Sequence, residues 1–521
     1  MSDVDRADRS DRFHRRHLRA LAGAALRHSG FSIACILGTA AAIQLPALGG
    51  ATLLPSLVVL GFFTLSVLRF QSLRAAGLAS LSFPNPGFWL LITVTYGLIT
   101  ALFLPSIFSG MTNVYSMARN DNEVGIITLS LEPRASNVTQ SLYLVAGLVC
   151  FIVVAALARS GYARSIASAI LVAAGLNLVF AFLDLATYAT GTQEYLSFIR
   201  NANYRMLDSG EIQGFKRIVG SFAEAGAYSY ATIGFYAFTI SLWLDRYRAP
   251  YLSVIAGVSL LTLLLSTSST AYLTVAAFSL ILYASATRRL IENRATQRHF
   301  AFILLAPVAL AILMAGMMLV PAMMETISAL FDSTITNKLT TQSGVERMQW
   351  NQQAIEVFFD TYGVGAGVGS VRASSLLVAI LANCGILGLM LFGIFLGSVI
   401  LSGRTPTVAS PDAAVSRAGG MACIGLLVAA AVSSGGVDLG LNFSVFAALA
   451  TNSLRGTLSG SRATAPQRFR RKSVAFQTSP VTPQEPSGLP QPVGHMGRHG
   501  GMVLPARSLS QPFVASANRC D

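Results

Sequence analysis

Apolar runs long enough to cross a lipid bilayer recur along the whole chain and limit its possible folds more than any other feature. One of them, LLVAILANCGILGLMLFGIFLGSVIL at 376–401, contains no charged residue. An α-helix needs about 20 predominantly apolar residues to span the hydrocarbon core. The chain has 521 residues, of which 53% are hydrophobic and 12% are charged, about half the charged share of a soluble domain. The sequence therefore predicts an all-α, polytopic membrane protein.

The orientation of the helices is predicted from lysine and arginine, which are enriched in the cytoplasmic connections of membrane proteins. With the N-terminus in the cytoplasm, 28 of the 37 Lys and Arg residues lie in cytoplasmic tails and connections, and nine lie on the opposite face. The apolar runs predict about twelve membrane-spanning helices, and this bias predicts that both termini lie in the cytoplasm. The predicted spans are 31–47, 51–69, 87–109, 141–159, 163–189, 224–244, 250–266, 270–287, 299–320, 376–402, 418–434 and 440–455.

Composition divides the chain into three parts. Residues 1–30 form a basic cytoplasmic segment, 31–455 the transmembrane domain, and 456–521 a basic, Pro-rich tail predicted to be disordered in the cytoplasm. The net charge of +14 is assigned to topology and to attraction for anionic lipids, so nucleic acid is not an expected partner.

The outward-facing loops are long, at about 110–140, 190–223 and 321–375. Loops of this length in a compact protein are usually functional or disordered. Short amphipathic helices are predicted in the last two, at EYLSFIRNANYRMLD (194–208) and SGVERMQWNQQAIEVFFD (343–360). We therefore expect the working surface of the protein on the outward face.

Three arginines of that face lie at predicted helix ends. Arg217 comes seven residues before Glu224, Arg347 lies at the start of the amphipathic helix, and Arg372 follows the glycine-rich stretch GVGAGVGS at 363–370. A glycine-rich turn before a helix exposes backbone N–H groups, and the arginine fork matches phosphate oxygens. The pattern predicts an anion site at the membrane boundary.

Each of these features also has a purely structural interpretation. A single interfacial arginine often extends to ordinary lipid phosphate, and alternating glycines often serve tight packing. Glu224 in a first helical turn can complement the helix dipole, and Asp184 can be a hydrogen-bonded structural carboxylate. The prediction of an anion site depends on several such residues falling on one face.

The chemistry missing from the outward face narrows the possible reactions. All six histidines are predicted on the cytoplasmic side, and the sequence has no zinc-ligand spacing and no nucleotide-binding motif. The sequence therefore predicts no cofactor and no metal. A reaction without ATP needs an activated substrate, and a polyprenyl-diphosphate-linked glycan fits because its diphosphate is the leaving group.

Three stretches resemble the O-antigen ligase and O-antigen polymerase superfamily of bacterial glycan-assembly proteins. KRIVGSFAEAGAYSYA (216–231) resembles its arginine-containing segment at a helix start, and LLLSTSSTAYLTV (263–275) its serine/threonine-rich helix junction. The stretch from 346 to 389 resembles its large periplasmic loop and the helix that follows. The likeness covers about 140–402. It implies a GT-C-like fold in a bacterial inner membrane, with a large periplasmic loop.

The resemblance also implies roles for individual residues. Arg217 and Arg347 match the arginines that the family uses on the donor diphosphate, and we assign them to catalysis together with Glu224, which would orient or deprotonate the acceptor hydroxyl. The residues predicted to bind the diphosphate or the glycan are Lys216, Arg205, Arg372, Gly365, Gly367, Gly369 and Ser370.

The function expected from this resemblance is polymerisation of lipid-linked repeat units into exopolysaccharide or O-antigen at the periplasmic face. The ligase branch generally has a histidine soon after the glycine turn, where this chain has Val371 to Ser375, and its serine-rich junction often has an arginine that is absent here. Both departures favour a polymerase. The alternatives are an O-antigen ligase and a flippase for lipid-linked oligosaccharides. Implied partners are the lipid-linked glycan, anionic lipids, a flippase and chain-length or export proteins.

Overall fold

The computed structural model describes residues 30–45, 51–120, 123–202, 206–319, 342–404 and 410–454. The basic segment predicted before residue 30 and the tail predicted at 456–521 lie outside the described residues. Mostly helical structure with little strand confirms the prediction of an all-α membrane protein at this level.

The described helices and strands follow in chain order. The helices are α1 (Pro55–Leu68), α2 (Gln71–Ser80), α3 (Pro86–Ile107), α4 (Ala135–Leu157), α5 (Ala163–Ala189), α6 (Ala225–Leu244), α7 (Leu252–Leu265), α8 (Ser269–Ile291), α9 (Gln297–Leu319), α10 (Gln342–Asp360), α11 (Leu376–Arg404), α12 (Pro411–Ser433) and α13 (Gly440–Ala450). The strands form three antiparallel pairs, namely β1 (Ile43–Leu45) with β2 (Ala51–Leu53), β3 (Asn113–Asn120) with β4 (Glu123–Ser130), and β5 (Glu211–Ile212) with β6 (Phe215–Lys216).

Judged by the length and composition of the helices, the predicted count of about twelve spans is wrong. Within the described ranges, five helical segments are long and apolar enough to cross a membrane, or six if α1 and α2, which are bent by 112°, form one broken span. One of the five, Ala135–Ala189, contains both α4 and α5, which meet at Gly161 with a φ of 94°. The predicted spans at 250–266 and 440–455 are the short helices α7 and α13, of 14 and 11 residues.

The first predicted span, 31–47, is not a continuous helix. Helical backbone covers residues 30–34, turns follow, and β1 begins at Ile43. Thr39 Oγ1 donates to the carbonyls of Ile199 and Ser221, both at 3.0 Å, and Ser221 Oγ donates to the carbonyl of Ile36 at 2.6 Å. The carbonyl of Ile36, which a helix would have paired internally, therefore bonds to a distant side chain, and Thr39 ties this segment to the backbone at Ile199 and Ser221.

The core is centred on α6 and α12. Helix α6 is not one of the long apolar spans because tyrosine, serine and glycine lower its mean hydropathy, yet most of its residues are buried. It packs closely on α12, because a Cβ built on Gly425 of α12 would lie only 3.1 Å from the Cβ of Ala237 in α6. Small residues permit such close helix approach in membrane proteins. Helix α12 also contacts α8, α11 and α13.

The loops that the sequence predicted to face outward contain more regular structure than expected. The loop at 110–140 contains the β3–β4 hairpin, paired from Asn113 with Ser130 to Asn120 with Glu123. The amphipathic helix predicted at 343–360 is confirmed as α10, whereas the stretch at 194–208 forms a 3₁₀ helix over Gln193–Ile199. Helix α10 lies over a small apolar cluster that includes Val114, Ala354 and Val371.

The two ends of the bundle can be defined by residues of α6. The Arg217 end contains the N-terminus of α6, the C-terminus of α12 at Ser433, and helix α10. The Asp245 end contains the C-termini of α6 and α8 and the first turns of α12, because Asp245 contacts both Arg289 and Arg417. Helices α6 and α12 are therefore antiparallel, and the two ends carry separate clusters of charge.

Candidate functional site

Three arginines from distant parts of the sequence converge at the Arg217 end of the bundle. Arg217 precedes α6, Arg347 lies in α10, and Arg372 lies between α10 and α11. The charges of Glu224 and Arg347 act on both Arg217 and Arg372, so the four groups lie within electrostatic range of one another. We name Arg217, Arg347, Arg372 and Glu224 the arginine site.

Arg217 is held in place by its backbone and is half-buried. Its N–H donates to the carbonyl of Gly210 at 3.0 Å, next to the β5–β6 pair. Desolvation lowers the pKa of the Arg217 guanidinium, an effect that Glu224 opposes and Arg347 reinforces. Its Nε is buried and has no hydrogen-bond partner within the part of the chain that the structure describes. A buried donor of this kind is costly unless it meets an acceptor.

Glu224 and Ser433, the hydrogen-bond partner of Arg347, both lie beside Gly226 in the first turn of α6. Arg347 Nη1 donates to Ser433 Oγ at 3.3 Å. A Cβ built on Gly226 would lie 3.1 Å from Glu224 Oε1 and 3.7 Å from Ser433 Oγ, so glycine leaves room for both groups. Glu224 occupies the N-cap of α6, but its side chain makes no capping hydrogen bond. The carboxylate is therefore not used in capping the helix.

The Arg372 side chain is partly exposed and stacks on an aromatic ring of α10. Its Cζ lies 4.8 Å from the centroid of the Trp350 ring, and Arg347 lies three residues earlier on the same face of that helix. Desolvation lowers the pKa of the Arg372 guanidinium, and the charge of Glu224 opposes this shift. Its Nη2 lies 3.7 Å from the position of a Cβ on Gly435, so the α12–α13 connection borders the site.

The glycine-rich stretch serves packing instead of presenting its N–H groups to an anion. Gly365 N donates to Thr361 Oγ1 at 3.2 Å, Gly367 N to the carbonyl of Asn383 at 2.9 Å, and Ser370 N to the carbonyl of Gly367 at 3.1 Å. A Cβ on Gly369 would lie 2.5 Å from the carbonyl oxygen of Ser136, in the first turn of α4. Ser370 Oγ accepts from Asn137 Nδ2 at 2.8 Å. The N–H groups of Gly365, Gly367 and Ser370 therefore donate to acceptors within the protein, and the binding of a diphosphate or glycan by this stretch stays a prediction.

This glycine-rich stretch is inserted where α11 is broken. Gly385 in α11 has a φ of 64° and a ψ of −164°, which interrupts the helical hydrogen bonds. The N–H of Ala366 donates to the carbonyl of Ala382 at 2.8 Å, and the N–H of Ile386 donates to the carbonyl of Gly363 at 3.1 Å. The loop therefore satisfies the groups freed by the break and fixes the connection that carries Arg372.

Lys216 turns away from the arginine site toward a buried carboxylate. Its Nζ lies 3.5 Å from Asp184 Oδ2 and donates to the carbonyl of Arg217 at 2.8 Å. Arg200 Nη2 donates to the other Asp184 oxygen at 2.6 Å, and the N–H of Val219 donates to Oδ2 at 2.8 Å. Desolvation lowers the pKa of the Lys216 ammonium, although Asp184 opposes the shift. Lys216 and Asp184 thus anchor the loop that presents Arg217, and the direct diphosphate contact predicted for Lys216 has no geometric support. Arg205 lies outside the described residues.

The tertiary structure adds three residues to the site that the sequence did not single out. Ser433, Gly435 and Trp350 border the arginines, and the first two belong to the stretch SSGG at 433–436. This stretch of small residues lies between two short predicted helices, and that pattern was the sequence signal that could have pointed to Ser433 and Gly435. Among the described residues, no three His, Cys, Asp or Glu side chains come together as a metal site. The arrangement offers several guanidinium groups to an anion and one carboxylate beside them.

No protein-family model and no curated protein matches this chain. A function for the chain has to be argued from the chemistry of its side chains, because fold class alone does not determine function.

Proposed function

We propose that this protein is a glycosyltransferase that polymerises polyprenyl-diphosphate-linked repeat units at the outward, periplasmic face of a bacterial inner membrane. The carrying observation is the buried, unpartnered Nε of Arg217 among the convergent charges of the arginine site. A diphosphate supplies the acceptors and the negative charge that such a group of guanidinium forks can bind.

The proposed reaction is an inverting displacement at the anomeric carbon of the donor sugar. The acceptor hydroxyl oxygen forms a bond to that carbon while the bond to the diphosphate oxygen breaks, and the electron pair leaves with the diphosphate. Arg217 and Arg347, with Arg372, stabilise the charge that develops on the leaving group. Glu224 takes the hydroxyl proton, and its freedom from helix capping supports this role.

Glycan chain length in a producing strain tests the proposal. Arg217→Gln and Arg347→Gln each remove one guanidinium, and we expect about a 100-fold loss of polymerisation from either, as for loss of one transition-state donor. Long-chain polymer on a gel is the readout, with the amount of protein in the membrane fraction measured in parallel.

The matched control is Arg74→Gln. Arg74 is exposed on α2, far along the chain from the arginine site, and its removal changes the net charge equally. Undiminished long polymer in correctly inserted Arg217→Gln and Arg347→Gln variants would exclude diphosphate binding by these residues. Polymer lost equally in Arg74→Gln would show that the readout reflects charge or insertion alone.

The break in α11 supports a second candidate, a transporter of lipid-linked oligosaccharide. Membrane helices that are interrupted, as α11 is at Gly385, are typical of transporter substrate sites. The two functions differ in where the substrate collects when the gene is deleted. Single lipid-linked repeats on the outer leaflet favour the polymerase, and repeats confined to the inner leaflet favour the transporter.

A further inference from the structure

A cavity lies at the Asp245 end of the bundle, away from the arginine site. It has a volume of about 480 Å³ and is lined by residues of α6, α8, α11 and α12, together with His299 at the start of α9. Its lining combines charged and apolar side chains. The proposed glycosyl transfer uses none of these residues.

The charged part of the lining has more guanidinium groups than carboxylates. The buried Asp245 is shared, since its Oδ1 accepts from Arg289 Nη1 at 2.5 Å and its Oδ2 from Arg417 Nε at 2.8 Å. The exposed Arg288 and Arg294 share Glu292 in the same way, at 2.7 Å and 3.6 Å. Four arginines therefore face two carboxylates in the lining, which leaves it net positive.

A neighbouring open cavity extends the same positive surface. It has a volume of about 460 Å³, shares Asp245 and Arg417 with the first cavity, and adds Arg164, Arg246 and Arg248. Of these, Arg164 is paired with Asp412 at 2.9 Å. Asp245 and Arg417 thus lie between two basic recesses.

The opposite part of the first cavity is apolar. Ile281 and Leu282 of α8, Ile400 of α11, and Met421 and Ile424 of α12 contribute to it. A small soluble anion would leave these side chains unused, whereas an amphiphile with an anionic head would contact both parts.

We propose that this cavity binds an anionic phospholipid, with the phosphate among Arg288, Arg289, Arg294 and Arg417 and the acyl chains along the apolar side. Arginine forks pair with phosphate oxygens by charge-assisted hydrogen bonds, and basic pockets between membrane helices bind phospholipid headgroups. The site is independent of the proposed glycosyl transfer because it lies at the other end of the bundle.

Lipid retention by the purified full chain tests the site. The protein is placed in lipid nanodiscs of phosphatidylcholine with increasing phosphatidylglycerol, and retained lipid is counted by native mass spectrometry, with the thermal unfolding midpoint measured in parallel. We expect the double variant Arg288→Gln/Arg294→Gln to retain phosphatidylglycerol at least about fivefold less tightly. Both side chains are more than half exposed, so the variant is expected to fold.

Two comparisons make the result specific. Arg74→Gln/Arg69→Gln removes the same charge from exposed positions that do not line the cavity, and should behave as wild type. Asp245→Asn should act in the opposite direction and retain phosphatidylglycerol more tightly, because it frees Arg289 and Arg417 from their shared carboxylate. If Asp245→Asn does not fold, the comparison of Arg288→Gln/Arg294→Gln with the Arg69/Arg74 control still tests the proposal.

The proposal is overturned if the Arg288/Arg294 double variant and the Arg69/Arg74 control retain phosphatidylglycerol equally. It is also overturned if inorganic phosphate, added at the lipid concentration in phosphatidylcholine nanodiscs, raises the unfolding midpoint as much as phosphatidylglycerol does. That result would assign the site to a soluble anion.

Discussion

Individual carboxylates at the Arg217 end have different surroundings and therefore different roles. Asp184 is fully buried and accepts from Arg200 and from the N–H groups of Val219 and Gly220, with Lys216 nearby. Glu224 is half-buried and makes no capping hydrogen bond. The first carboxylate holds a loop in place, while the second remains available to a substrate in the proposed reaction.

The role of Asp184 predicts a large loss of stability on substitution. Asp184→Asn leaves Arg200 and Lys216 without their buried counter-charge, and breaking such a pair costs about 3–5 kcal/mol. We expect a clear fall in the thermal unfolding midpoint and faster proteolysis in the loop at 206–223. Glu194→Gln, at an exposed position of the same loop region, is the control. Equal midpoints for the two variants would contradict a structural role for Asp184.

The buried carboxyl of Asp438, in the α12–α13 connection, is expected to make the stability of the fold depend on pH. Desolvation raises the pKa of its carboxyl above the ordinary value of 3.8, although the N–H of Gly440 opposes the shift. A raised pKa means that the fold favours the neutral form, so this contribution to stability is complete below 3.8 and is lost as the pH rises through the folded-state pKa. The unfolding midpoint of wild type should fall more between about pH 4 and about pH 7 than that of Asp438→Asn. The prediction is refuted if the unfolding midpoints of wild type and Asp438→Asn change equally with pH.

At the scale of elements, the break in α11 explains how a glycine-rich loop is placed inside a membrane bundle. A Cβ on Gly385 would lie 2.3 Å from the carbonyl oxygen of Gly363, and its positive φ is strained for any other residue. The interrupted helix and the loop satisfy each other's backbone groups. The position of Arg372 therefore depends on the break.

Substitution at the break should destabilise the protein and impair the arginine site together. Gly385→Ala introduces both a clash and backbone strain, so we expect a lower unfolding midpoint and shorter glycan. Gly393→Ala, eight residues later in α11, meets no atom within 4 Å and should be neutral or stabilising by about 0.5–1 kcal/mol. If Gly385→Ala matches Gly393→Ala in both measurements, the break does not hold the site.

At the scale of the whole molecule, the two ends of the bundle separate two kinds of basic site. The arginine site lies where α6 begins, and the cavity around Asp245 lies where α6 ends. Under the orientation predicted from lysine and arginine, the first faces the periplasm and the second the cytoplasm.

Labelling of single cysteines tests this orientation. Tyr195 and Ile291 are 75% and 77% exposed and lie near opposite ends of the bundle. In a background with Cys35→Ser and Cys520→Ser, a membrane-impermeant maleimide should label Tyr195→Cys in intact spheroplasts, and Ile291→Cys only after permeabilisation. The buried Cys150, Cys384 and Cys423 should stay unlabelled. Treating the background protein alone with the maleimide checks this. Reversed labelling would invert the assignment of both sites.

Hydrophobic composition and local pattern were enough for the helical membrane class and for α10, because apolar length and helical spacing are properties of contiguous residues. The number of spans was overestimated. An apolar run does not reveal whether it is continuous, as in α3, or interrupted by long-range hydrogen bonds, as near Thr39. The β3–β4 hairpin was missed for a related reason, since strand pairing is decided between separate segments.

The sequence by itself determined which residue types were available for a site, including the three arginines and Glu224. Only the tertiary structure decided that the charges of Arg347 and Glu224 act on both Arg217 and Arg372, while Lys216, the neighbour of Arg217 in sequence, turns to Asp184. Contacts between residues more than a hundred positions apart depend on how the helices pack, and adjacent side chains on extended backbone point in opposite directions. Packing therefore selected which cations form the site and which hold it in place.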